Sequence, residues 1–323
     1  MTLRLIQRRD RGQQGADNGS GTHLELPAGA HEAAFVSAGT VCRGWQFVPQ
    51  QEPARATLVM AHGLGGTIDG GLIDFARQLS RSGIRVVGFD YRYFGRSNGK
   101  PRQLITVDNQ LTDWSAAIAF AQRLDPPAPL VLWGTSFSSG HVMHIAARRH
   151  DIAAVIAQNP MLDGRASVLA ALRRDGLKPT LRLALSAIED SLRGLAGIDP
   201  LRLPIVAEPG GHAALTAPGA VDGVLSFAEP NFDNRMSARV LLTLSLYRPL
   251  KRAGRIRCPV LLQLCLRDTV TPIAPGYRAA AKLGARAVVK TYDCGHFDIY
   301  QGQAHEALVT DQLAFLDQLL GRE

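Results

Sequence analysis

The chain has 323 residues, 46% hydrophobic and 20% charged, the balance of a globular protein long enough for one large α/β domain with an insertion. No run of about 18 apolar residues occurs, so no membrane-spanning helix is expected. The net charge of +8 comes from scattered arginines not interleaved with aromatics, a pattern that argues against a nucleic-acid partner.

Residues 1–31 read as a flexible tail. Residues 7–21 are mostly Arg, Gln, Gly, Asp and Asn, with no apolar segment after the basic start, which argues against a secretory signal peptide. Cys42, Cys258, Cys265 and Cys294 show no C-x-x-C and no dense spacing, and read as free thiols of a reducing cytoplasm. Residues 32–48 alternate around a Ser-Ala-Gly turn, the pattern of an antiparallel hairpin at a sheet edge. A strand through Thr57 to Met60 leads into the glycine-rich loop His62-Gly63-Leu64-Gly65-Gly66. Leu72, Phe75, Ala76 and Leu79 then share a helix face. Another strand, 84–89, ends at Asp90, and the loop over 91–102 carries glycine and proline. A helix from Asn109 buries Leu111, Trp114, Ile118 and Ala121.

The apolar run 130–133 follows, then Gly134-Thr135-Ser136-Phe137-Ser138-Ser139-Gly140, then a helical pattern through Val142, Ile145 and Ala146; residues 152–157 form a further strand. Such alternation predicts the α/β class: a doubly wound, mostly parallel sheet with helices on both faces and ligands beyond the carboxyl ends of the strands. The alternation stops between about 162 and 254. Leu181, Leu185, Ile188 and Leu192 share one helix face, and Met236, Val240, Leu244 and Tyr247 another, on either side of a Pro- and Gly-rich segment. A stretch this long is not a structureless loop in a compact domain. It is expected to be an inserted helical cap over 163–253, with the core at 32–162 and 254–323. The leucine faces, with Phe227, Phe232 and Tyr247, are expected to line an apolar acyl pocket or to form the plain core of the cap. The sheet resumes at 259–266, ending at Arg267-Asp268. A helix over 274–283, a strand over 287–292 and the loop Asp293-Cys294-Gly295-His296 come next. The last helix, 305–320, should turn Val309, Leu313, Leu316 and Leu320 inward and His305 outward.

Ser136 stands at the apex of a strand, sharp turn and helix, with Gly134 small enough for a tight elbow and Ser138 where a second glycine is usual. Ser138 rivals it, being flanked at the same spacing by Ser136 and Gly140, but Ser136 follows the strand directly. A helix N-cap is the alternative reading of either serine. Asp268 and His296 also stand at strand ends, in the order serine, acid, histidine. A serine hydroxyl needs an imidazole to take its proton, and the imidazole needs a carboxylate to fix its tautomer. Two oxyanion donors are expected, the backbone N–H groups of Phe137 and Leu64, with His62 supporting the loop. Ile68 stands where a dinucleotide fingerprint needs its third glycine, and residues 95–100 fall one short of a phosphate loop before Pro101. No cofactor and no metal site is read from the sequence.

With these residues in place, Met60-Ala61-His62-Gly63-Leu64-Gly65-Gly66-Thr67, the stretch from Phe89 to Ser97, and Cys294-Gly295-His296-Phe297-Asp298 make the chain resemble the α/β-hydrolase superfamily. It is similar to bacterial members near the dienelactone hydrolase, acetylxylan esterase and acyl-peptidase branches. The resemblance covers about 32–323 and departs at Ser138. It implies hydrolysis of a small carboxylic ester or thioester through an acyl-enzyme. Acyl transfer or cyclisation with the same three residues is the alternative, and a non-catalytic binding protein on the same fold is a further one. No oligomeric state is legible.

Overall fold

The computed structural model describes residues 25–125, 127–230 and 232–321; residues 1–24 of the expected tail lie outside them. The predicted hairpin forms from β1 (His31–Ser37) and β2 (Thr40–Phe47). Its turn uses Ala38 and Gly39, both at positive φ (+43° and +82°), the geometry that matches the twist of paired strands. Then follow β3 (Ala56–Ala61), α1 (Ile73–Arg81), β4 (Ile84–Phe89), α2 (Val107–Leu124), β5 (Leu130–Thr135), α3 (Phe137–Ala146) and β6 (Ala154–Gln158). The next elements are α4 (Gly164–Asp175), α5 (Leu177–Leu195), the short β7 (Arg202–Leu203), α6 (Ala220–Leu225), β8 (Met236–Ser237) and α7 (Val240–Leu244). β9 (Val260–Cys265), α8 (Ala274–Leu283), β10 (Ala287–Tyr292) and α9 (Gly302–Leu320) complete the described chain.

The eight-stranded sheet has the order β1-β2-β4-β3-β5-β6-β9-β10, parallel except for the pairings of β2 with β1 and β4. β3, β5 and β9 are buried at every residue because helices cover both faces. One face carries Trp114 and Ala117 of α2, Val142 of α3 and Ala279 of α8. The other carries Phe75 of α1 with Leu308 and Phe315 of α9. The chain winds from β3 to β4 on one side, then crosses to β5 on the other. The loops after β3 and β5 therefore diverge at a switch point, where open α/β sheets leave a crevice.

The segment between β6 and β9 adds no strand to this sheet; β7 and β8 pair only with each other. Its Ser237 ties it to the loop after β4, donating its N–H to the Gln103 carbonyl (2.8 Å) and accepting from the Ile105 N–H (3.0 Å). The expected helix from Met236 to Tyr247 is shorter, since Met236 lies in β8.

The leucine face of α5 points the other way from its expected direction. Leu181, Leu185 and Leu192 are 52%, 65% and 60% exposed, and the buried side carries Ala187 and Asp190. Asp190 accepts from Arg239 Nε (2.9 Å), Arg239 Nη2 (3.0 Å) and two backbone N–H groups, so a satisfied ion pair anchors the helix. A hydrophobic pattern reads such an aspartate as solvent-facing, which is why the face was inverted. His305 departs similarly. It is buried at the start of α9, 4.2 Å from the Phe75 ring, and accepts from Gln78 Nε2.

Candidate active site

The elbow forms because its glycine has nowhere to put a side chain. A Cβ on Gly134 would stand 2.6 Å from the carbonyl carbon and oxygen of Ser138, in the first turn of α3. Closing the chain that tightly drives Ser136 to φ +55°, ψ −115°, a conformation non-glycine residues seldom adopt. Ser136 precedes α3, yet its hydroxyl caps no backbone N–H; the N-cap reading does not hold. Its hydroxyl instead donates to His296 Nε2 at 3.1 Å. Ser138 already lies inside α3, fully buried, with its hydroxyl 3.0 Å from the Tyr91 hydroxyl, which also accepts from Trp114 Nε1.

His296 Nδ1–H donates to Asp268 Oδ2 at 2.6 Å, so its tautomer leaves Nε2 free to accept from serine. Asp268 is held by its own turn: Val270 and Thr271 N–H groups donate to Oδ1, each at 2.7 Å, and the Thr271 hydroxyl donates to Oδ2 at 2.6 Å. Burial alone would lift its carboxyl, but His296 and the Thr271 donors outweigh it and hold the group below its ordinary value. The aspartate is thus a buried, ionised acceptor rather than a surface turn residue.

The loop after β3 closes over the serine. A Cβ on Gly63 would lie 3.1 Å from Ser136 Cβ, so any side chain there would push on the serine, and Leu64 lines the same cavity as Ser136 and His296. Phe137 opens α3, so its N–H has no intrahelical acceptor; its ring points away, against His141 and Tyr247. His62 Nδ1 donates to the Gly63 carbonyl at 2.9 Å, and burial pushes its imidazole down to about 4, which keeps it a neutral support for the loop. Asp90 joins this loop to the next by accepting from the Ile68 and Arg96 N–H groups at 2.9 and 2.8 Å.

The cavity at Ser136 is about 60 Å³. Phe227 and Phe232 line it as expected, and Phe227 packs 4.1 Å from the Tyr300 ring. Tyr247 does not. It lies beneath α3, where its hydroxyl donates to Nδ1 of the buried His141 at 2.7 Å, while His141 Nε2–H donates to Gln110 Oε1. The expected face shared with Met236, Val240 and Leu244 marked Tyr247 as a pocket residue; a buried hydroxyl seeking a partner put it elsewhere.

Several residues at the site escaped sequence reasoning. Asn159, at φ +44° after β6, donates Nδ2–H to the His296 carbonyl at 2.8 Å and so positions the histidine loop. Its place at a strand's carboxyl end was a usable signal. Glu229 lines the cavity, accepts from the Thr67 hydroxyl, and has its carboxyl raised by burial. Ile205 and Leu215 complete the wall. Nothing in the Pro- and Gly-rich stretch marked these three. All four cysteines are buried free thiols, and the Cys294 and Cys265 sulfurs lie 3.3 Å apart behind the histidine and aspartate loops. None of the described helices is long and apolar enough to cross a membrane.

Over residues 52–312 the chain matches the family described as serine aminopeptidase, S33. It is 39% identical over 302 residues to the quorum-quenching protein AidA of Acinetobacter baumannii, covering 91% of this chain and 97% of that protein. It is 34% identical over 182 residues to the polyketide transferase ATR5 of Stachybotrys chlorohalonatus, covering 54% of this chain and 56% of that one. The crystal structure of the alpha/beta hydrolase GrgF from Penicillium superposes with a TM-score of 0.74 at 23% identity, over 92% of this chain and all of that one. That likeness is one of fold.

Proposed function

Because this chain belongs to the serine aminopeptidase S33 family of α/β-hydrolases, we propose that it cleaves a carboxylic ester or thioester through an acyl-enzyme on Ser136. The observation that carries this reading is the unbroken relay from Ser136 Oγ through His296 to Asp268, at 3.1 and 2.6 Å, opening on an apolar cavity. As Ser136 Oγ attacks the carbonyl carbon, His296 Nε2 takes its proton, and Asp268 stabilises the imidazolium that forms. The tetrahedral oxyanion sits between the Leu64 and Phe137 N–H groups, each worth about 100- to 1,000-fold in rate by general precedent. His296 then protonates the departing alcohol or thiol. Water, deprotonated by the same imidazole, releases the acid and restores Ser136.

The quorum-quenching relative makes a small signalling molecule the natural substrate class in this proposal. The polyketide transferase relative favours a second reading, in which an alcohol or amine replaces water at the acyl-enzyme. Residues 163–253 act in either case as a cap that shapes the acyl side. The test is turnover of p-nitrophenyl esters from acetate to decanoate by wild type and Ser136→Ala, with and without added acceptors. Loss of all turnover in the variant supports the acyl-enzyme, and acyl products on the acceptor favour transfer. Turnover that survives Ser136→Ala sinks the assignment.

A further inference from the structure

A second cavity, about 170 Å³ against about 60 Å³ at Ser136, is lined by the segment between β6 and β9 together with Val270, two residues after Asp268. Ala171 of α4 and Leu183 and Ala184 of α5 form two walls, Ala214 and Leu241 a third. The α5 wall is not the leucine stripe that faces solvent. Small residues leave the space: alanines stand where larger side chains would fill the gap between the helices. Its charged groups are already matched. Arg174 and Asp175 pair at 2.8 Å, Asp175 accepts from the Thr216 hydroxyl at 3.0 Å, and Arg174 also donates to the Thr269 carbonyl, beside Asp268. The chamber therefore offers apolar surface and no unmatched charge from these two residues, which suits an uncharged aliphatic ligand.

Among the described residues Leu215 is common to both cavities. Its backbone is pinned, the N–H donating to the Ile205 carbonyl at 2.9 Å and the carbonyl accepting from the Ala207 N–H at 3.1 Å. We propose that the inner chamber receives the distal end of a long aliphatic acyl chain whose carbonyl is held at Ser136, and that Leu215 is the partition the chain passes. This rests on the ester or thioester hydrolase reading above. The cavity at Ser136 has only about a third of the volume of the second, so it runs out of room first as an acyl chain lengthens. Short chains end before Leu215, and longer ones need the inner space.

Each methylene moved out of water strengthens binding about fourfold. Ala184→Phe, which fills the inner chamber, is therefore expected to lower the ratio of kcat/KM for the decanoate ester to that for the butanoate ester by at least about tenfold. An unchanged ratio overturns the proposal. Should the variant fail to fold, wild-type protein modified with a decyl fluorophosphonate gives the answer by crystallography. An alkyl chain running past Leu215 to lie among Ala171, Ala184 and Ala214 supports the proposal. A chain on labelled Ser136 that leaves by another path overturns it alone. Failure of the reagent to label Ser136 overturns both it and the hydrolase reading.

Discussion

Replacing Gly134 by alanine tests the elbow at its tightest point. The new Cβ would meet the Ser138 carbonyl at 2.6 Å and the Ser139 nitrogen at 2.7 Å, all of them backbone atoms that cannot rotate aside. Reaching an ordinary 3.4 Å contact requires the first turn of α3 to retreat by roughly 0.8 Å. Ser136 is the residue between β5 and that turn, so its Oγ moves with it, and the 3.1 Å bond to His296 lengthens beyond hydrogen-bonding range. A misplacement near 1 Å costs about 100-fold in rate. Overpacking at a buried backbone costs about 1–3 kcal/mol in stability. The assay is kcat/KM for p-nitrophenyl acetate, read beside a thermal melt that shows the variant folded. Turnover within threefold of wild type in a folded Gly134→Ala protein would refute the reasoning, because the serine would then tolerate a displacement the relay does not.

Ser138→Ala, which removes the hydroxyl bonded to Tyr91, should cost about 1 kcal/mol in a urea melt and leave ester turnover within a few-fold. A collapse of turnover comparable to that of Ser136→Ala would move the chemistry to Ser138. The Asp268 carboxyl is held below its ordinary value, so its stabilisation is fully present above about pH 4 and is lost as pH falls through the folded value. Melting temperatures of wild type and Asp268→Asn, followed from about pH 6 down to about pH 2, should therefore converge; parallel curves would contradict the linkage. Leu185→Glu on the exposed stripe of α5 should shift stability by no more than about 0.5 kcal/mol and leave the ester chain-length profile unchanged. A selective loss of long-chain turnover would return that stripe to the pocket.

The sheet and the residues at its strand ends were legible because the signals there are strong and local. Continuous apolar runs mark β3, β5 and β9, and polar residues with chemical potential stand where each run stops, at His62, Ser136 and Asp268. Backbone geometry then does the rest, since parallel strands deliver their carboxyl ends to one edge. Beyond Phe227 and Phe232, the cap-side wall of the cavity was not legible for an opposite reason. Glu229, Ile205 and Leu215 come from a stretch whose order depends on tertiary bonds, such as Asn234 Oδ1 accepting from the Ile205 and Val206 N–H groups. Periodicity failed at α5 because a buried ion pair outranked the four side chains Leu181, Leu185, Ile188 and Leu192 in choosing the inner face. It failed at Tyr247 because the hydroxyl, not the ring, decided the environment.

The relay is divided between the middle and the border of the sheet. Ser136 follows β5, which has β3 and β6 on either side and no exposed residue. His296 follows β10, an outermost strand bonded to β9 alone, with Lys290 and Thr291 facing water. Border strands open at lower free energy than central ones. On warming, the imidazole should therefore part from the serine while most of the sheet is still closed, and inactivation should run ahead of unfolding. A brief exposure in that interval should be reversed on cooling, since Ser136 and its elbow stay in the closed part of the sheet. Engineering for durability therefore belongs at the seam between β10 and α9, where Lys290 already meets Asp311 at 2.8 Å, and not around the serine.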